Sequence, residues 1–127
     1  MKLFCLTALL LLPVPALAAD FSCRNEAAEL TCDQGKCDVK TANDFTPMSI
    51  SRRGTTLTAC AYSGCWSGTA DLRRARGHLE FLHARVRQEN RTDGKPGPPE
   101  SLAIIHDRTG RTAQIRFLAF SNSMTCD

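Results

Sequence analysis

Long apolar runs, close cysteine pairs, phosphate-binding loops and blocks of like charge are all missing from most of this chain. Beyond residue 18 no apolar stretch approaches the ~20 residues of a transmembrane helix, so no membrane anchor is expected. No Cys-x-x-Cys occurs and the three histidines are scattered, which argues against a zinc site or any other metal. No Gly-x-Gly-x-x-Gly or Walker pattern is present, so a nucleotide cofactor is not expected, and no cofactor of another kind is signalled. Aromatic residues make up only 6% of the chain, with one Trp and one Tyr. Without aromatics interleaved among the basic residues there is no stacking platform, and nucleic acid is excluded as an expected partner.

What is present first is a leader. Residues 1–18, MKLFCLTALLLLPVPALA, carry a basic n-region at Lys2, an apolar core from Leu3 to Leu12, and the small-x-small pattern Ala16-Leu17-Ala18. This predicts a cleaved signal peptide over 1–18 and a single β-rich domain over 19–127. Cys5 lies too early to be lipidated at the cleavage site. After Ala18 the chain keeps 15 basic and 13 acidic residues, a net charge of +2. The basic residues are 12 arginines and 3 lysines, a bias that suggests a GC-rich bacterial genome and hence a periplasmic or secreted protein.

Six cysteines remain after the leader: Cys23, Cys32, Cys37, Cys60, Cys65 and Cys126. An even number in a short exported chain predicts a disulfide framework. Cys32–Cys37 and Cys60–Cys65 each enclose four residues around a glycine, so each can clip a hairpin. That leaves Cys23 with Cys126 as a clasp between the first and last strands. Cys23 paired with Cys32 or Cys37 is the alternative.

Alternation with a period of two runs through the domain, broken by glycine-bearing turns. Ala28, Leu30 and Cys32 form one stripe; Leu57, Ala59 and Ala61 another; Trp66, Gly68, Ala70 and Leu72 a third; Ala113, Ile115, Phe117 and Ala119 a fourth. Residues 77–90 also fit a helical period, but Leu82 to Arg87 alternate strictly, which predicts a strand. Residues 90–99, with three prolines and two glycines, predict a loop. Asp107-Arg-Thr-Gly110 predicts a hairpin turn with its glycine left-handed. The expected fold is all-β: about eight short antiparallel strands in a meander, forming a small closed barrel in preference to a two-sheet sandwich.

Candidate chemistry is sparse. Ser63 lacks the nucleophile-elbow context, and oxidised cysteines offer no thiolate. His83 and His106 fall where they could meet across neighbouring strands, while Asp71, Glu80 and Asp107 lie too far apart for any spacing argument to pair them. The eight arginines Arg73, Arg74, Arg76, Arg85, Arg87, Arg108, Arg111 and Arg116 read as a solvated surface, with a basic patch as the rival reading. The strongest binding candidate is the tip Cys60-Ala-Tyr-Ser-Gly-Cys-Trp66, where Tyr62, Ser63 and Trp66 surround an expected hairpin turn. Trp66, in the parity of Gly68 and Ala70, also suits a core-capping role. The expected function is a non-catalytic exported domain that binds a protein or small ligand. A small hydrolase with carboxylates assembled by the fold, or a structural subunit of an envelope assembly, are the rivals.

Overall fold

The computed structural model describes residues 19–41, 43–62 and 64–127, so the leader expected over 1–18 lies outside the described residues. These residues hold ten strands and no helix. They are β1 (Phe21–Arg24), β2 (Ala28–Asp33), β3 (Lys36–Thr41), β4 (Met48–Arg53), β5 (Thr56–Ala61), β6 (Gly64–Arg76), β7 (Leu79–Gln88), β8 (Glu100–Asp107), β9 (Thr112–Phe117) and β10 (Phe120–Cys126). Every pairing is antiparallel.

Strands β4 to β10 pair in sequence order as a meander, and β1 pairs with β4 on one side and β10 on the other. The result is the closed eight-stranded barrel expected from the alternation. The hairpin of β2 and β3 lies outside it, joined to β10 through Phe120 and Thr31. Five connections leave only two residues between paired ends: Gln34-Gly35, Gly54-Thr55, residues 62–63, Gly77-His78 and Leu118-Ala119. Such turns need positive φ, and they find it at Gly35, Gly54 and Gly77 but also at Gln34, Tyr62 and Leu118.

Alternation decides what each strand buries. On β7, Glu80, Leu82, Ala84 and Val86 point inward, and Phe81, His83 and Arg85 outward. This is why residues 79–88 form a strand: the inward residues recur at every second position, and a helix, with its period of 3.6, could not set all four on one face. The interior is filled by Ile50, Leu57, Leu102, Ile104, Ile115 and Phe117. Trp66 is half-buried and meets Phe117 edge-on, with ring centroids 5.3 Å apart.

Several local expectations are corrected. The stripe Ala28, Leu30, Cys32 is only half-buried, and the buried residue of β2 is Glu29. Its carboxylate accepts from the Thr46 backbone N–H (2.7 Å) and the Thr31 hydroxyl (2.9 Å), so polar satisfaction overrides apolar parity there. The stripe through Trp66, Gly68 and Ala70 stops before Leu72, because a β-bulge between Ala70 and Leu72 shifts the register and leaves Leu72 exposed. The last stripe stops at Phe117, since Leu118-Ala119 is a turn. In the β8–β9 turn the left-handed residue is Arg111 (φ +53°), not Gly110.

All three cysteine pairs of the hairpin-and-clasp set are at bonding distance: Cys23–Cys126, Cys32–Cys37 and Cys60–Cys65. Cys23 and Cys126 are direct cross-strand neighbours in the short β1–β10 seam that closes the barrel.

Candidate functional site

Among the described residues the inner face is filled by side chains. Besides the apolar core it carries a polar cluster toward one end, built from β4, β6, β7 and β8. Arg52 Nη1 and Arg73 Nε both donate to Oε1 of Glu80 at 2.7 Å, and His106 Nδ1 lies 4.0 Å from Oε2. Arg52 and Glu80 are almost wholly buried. Burial opposes ionisation of Glu80, but the hydrogen bonds from Arg73 and Arg52 outweigh it and lower its pKa. His106 packs against Phe21 with centroids 4.1 Å apart and the rings tilted by 32°, and burial lowers its pKa against the pull of Glu80. The one buried carboxylate is held by two guanidinium groups, Arg73 reaching it from a half-exposed position, while buried His106 Nδ1 makes no hydrogen bond; the cluster reads as a structural plug.

The outer face of β6–β9 is different. Antiparallel register sets its side chains in cross-strand rows. One row runs Arg74, Phe81, Ile105, Gln114, and the next runs Leu72, His83, Ala103, Arg116. Leu72, Phe81 and Ile105 are exposed by 43%, 36% and 41%, an unusual grouping for the outside of a small barrel. With Ala103 they line a shallow groove of about 480 Å³. Arg74 stands at one margin and Arg116 at another, where Arg116 donates to the Ser121 hydroxyl at 2.8 Å.

At the edge of this groove His83 is held through both ring nitrogens. Nδ1 lies 2.6 Å from Oδ1 of Asp71, and Nε2 lies 2.7 Å from Oγ of Ser101. A carboxylate only accepts, so Nδ1 carries a proton, and in the neutral imidazole Nε2 accepts from the serine hydroxyl. Asp71 is on the outward parity of β6, one residue past inward-facing Ala70, and the bulge that follows sets Leu72 on the same outer face, across from His83. Arg85 stands directly opposite Ser101 in the β7–β8 register.

Comparison of the chain with protein-family models, curated proteins and solved structures finds no match. The site is therefore argued from its own geometry.

The residues singled out in the sequence are dispersed. Tyr62 is 78% exposed, adopts φ +54°, and its phenol oxygen accepts from the Thr46 hydroxyl at 2.7 Å. Ser63 lies outside the described residues. Trp66 faces the core rather than the tip's outer surface. His83 and His106 do not meet, since one points out of the barrel and the other into it. His78 sits in the β6–β7 turn, 4.0 Å from Asp107. The three carboxylates are separate: Asp71 holds His83, Glu80 lies inside, and Asp107 caps its turn by accepting from Thr109 and Gly110. Of the arginines, Arg73 turns inward to Glu80, and Arg87 and Arg108 donate to backbone carbonyls of Gly97 and Gly77. Sequence reasoning missed Ser101 and the buried Arg52. Ser101 carried a usable signal, the parity of His83, Ala103 and Ile105 on adjoining strands, but only once the register was known.

Proposed function

We propose that the protein is an exported, disulfide-clasped barrel that binds an anionic amphiphile on its outer β6–β9 face. Three intramolecular disulfides fit an oxidising compartment. A periplasmic location, reached by cleavage after Ala18, is part of the same proposal. The observation that carries the binding reading is the groove of Leu72, Phe81 and Ile105 with Arg74 and Arg116 at its margins. Its volume of about 480 Å³ is of the order of small-molecule sites, about 300–1,000 Å³. An apolar body on the three side chains with its anionic group against an arginine matches both features. The interior is already occupied, so the ligand has to sit outside.

Titration calorimetry with dodecanoate below its micellar concentration tests this. Saturable one-to-one binding with a negative heat-capacity change is expected. Phe81→Asp abolishes it and Arg74→Glu weakens it about tenfold, roughly 1.4 kcal/mol. Heat without saturation, or binding unchanged in Phe81→Asp, overturns the reading. A second reading keeps Tyr62 of the expected tip as a protein contact, favoured by its 78% exposure on a disulfide-clipped turn. In that case Tyr62→Ala abolishes capture of a stoichiometric protein partner while the melting temperature holds.

A further inference from the structure

We propose that Ser101, His83 and Asp71 form a nucleophilic relay that hydrolyses carboxylic esters bearing an apolar chain. The serine and histidine stand on their own hydrogen bonds; only the choice of an apolar chain rests on the binding reading above.

Three features assemble the relay. Asp71 accepts from Nδ1–H of His83 at 2.6 Å, which fixes the tautomer and turns Nε2 toward Ser101. With the imidazole neutral, the Ser101 hydroxyl donates to that nitrogen across 2.7 Å, the contact an activated nucleophile needs. All three side chains face water, since Ser101 and Asp71 are exposed and His83 is half-buried. Purely structural cross-strand bonds require no such order of acid, base and hydroxyl. Arg85, exposed and directly across from Ser101, has no ion-pair partner among the described residues and supplies a cation beside the reacting centre. The groove of Leu72, Phe81 and Ile105 begins one row away, bordered by His83 itself.

The chemistry balances within these groups and water. Oγ of Ser101 attacks the ester carbonyl carbon as its proton passes to Nε2 of His83. The new C–Oγ bond gives a tetrahedral oxyanion facing Arg85. Collapse breaks the bond to the alkoxy oxygen, which leaves as the alcohol with the proton from Nε2. Water then attacks the acyl-serine and gives a proton to Nε2. The C–Oγ bond breaks, the proton returns to Oγ, and a carboxylic acid departs. Asp71 remains a carboxylate throughout and acts as a positioning residue.

The full mature chain treated with an alkyl fluorophosphonate tests the nucleophile, and p-nitrophenyl acetate and octanoate test the substrate class. The expected result is one adduct, located at Ser101 by peptide mass spectrometry and absent from Ser101→Ala. His83→Ala slows labelling by about 10²-fold or more. Asp71→Asn lowers kcat with KM and melting temperature unchanged, because the side chain orients the base without touching substrate. The octanoate ester is preferred by about tenfold or more in kcat/KM. No adduct at Ser101, or labelling equally fast in His83→Ala, overturns the relay even where dodecanoate still binds. His83-dependent labelling with equal rates on both esters overturns the apolar-chain assignment and counts against the groove as the binding site.

Discussion

Individual residues in this barrel are held to their identities by contacts that parity alone does not reveal. Gly68 on β6 is one: a Cβ there would stand 2.2 Å from the backbone oxygen of Arg85 on β7. Gly68→Ala is expected to cost about 1–3 kcal/mol in chemical denaturation, because neither strand can retreat without opening the barrel. Arg111 is the opposite case, a β9-approach residue held at φ +53°. Arg111→Gly relieves that conformation and is expected to leave stability unchanged or raise it by up to about 1 kcal/mol. The buried titratable groups set the pH response. Burial disfavours the charged forms of Glu80 and Glu29, yet hydrogen bonds win and lower both pKa values from 4.5, so their contribution is present above about pH 4.5 and lost as pH falls through the folded values. His106 is lowered from 6.5, chiefly by burial, so the unfolded chain takes up its proton first and stability begins to fall below about pH 6.5. Urea midpoints measured between about pH 6.5 and 4.5 should decline, and His106→Gln should flatten that slope. A slope unchanged by the substitution removes His106 from the account.

At the scale of elements, the strands with one wet and one dry face were readable, and the exceptions each have a physical cause. β5, β7, β8 and β9 show clean alternation because both their neighbours lie in the barrel wall. The turn at Leu118-Ala119 carries no glycine, proline, asparagine or aspartate, so nothing local marks where β9 ends. The bulge in β6 is equally silent in sequence, although it decides which way Leu72 points. The candidate site suffered most from this. Its three polar members come from β6, β7 and β8, and only the register brings them together. The hairpin of β2 and β3 reads as two ordinary strands but behaves differently in the fold. β3 is exposed along its whole length, with Lys36, Asp38 and Lys40 on the free edge where charge discourages pairing with another chain. Its attachment rests on a few bonds, among them Leu30 N–H to Asn122 Oδ1 at 3.0 Å and Cys32 N–H to the Ala119 carbonyl at 2.9 Å. Amide exchange should therefore be fastest in β3 and slowest in β7 and β8, which are paired on both sides. Equal protection across the ten strands would contradict a peripheral hairpin.

For the whole molecule, the decisive event is closure. A meander from β4 to β10 forms from neighbours in sequence, but the barrel closes only when four-residue β1 seats between β4 and β10. Its pairing with β10 covers just Cys23–Cys126 and Arg24–Thr125, the thinnest seam in the wall. The clasp between residues 103 apart in sequence stands at that seam. In the chain-entropy view a loop of about 100 residues makes such a crosslink worth about 4.7 kcal/mol, whereas a hairpin clip around a turn is worth about 2 kcal/mol. Stability should therefore be lost unequally when disulfides are removed. The double variant Cys23→Ser, Cys126→Ser is expected to lower the unfolding free energy by several kcal/mol, toward about 4.7. It should also leave β1 exchanging its amides freely while the meander stays protected. Cys32→Ser with Cys37→Ser should cost less than half as much and leave the barrel intact. Guanidinium unfolding of the two double variants against the parent chain gives the comparison directly. If the hairpin clip proves the costlier loss, the barrel is not held closed by its first and last strands, and the seam must draw its strength from the β1–β4 pairing alone.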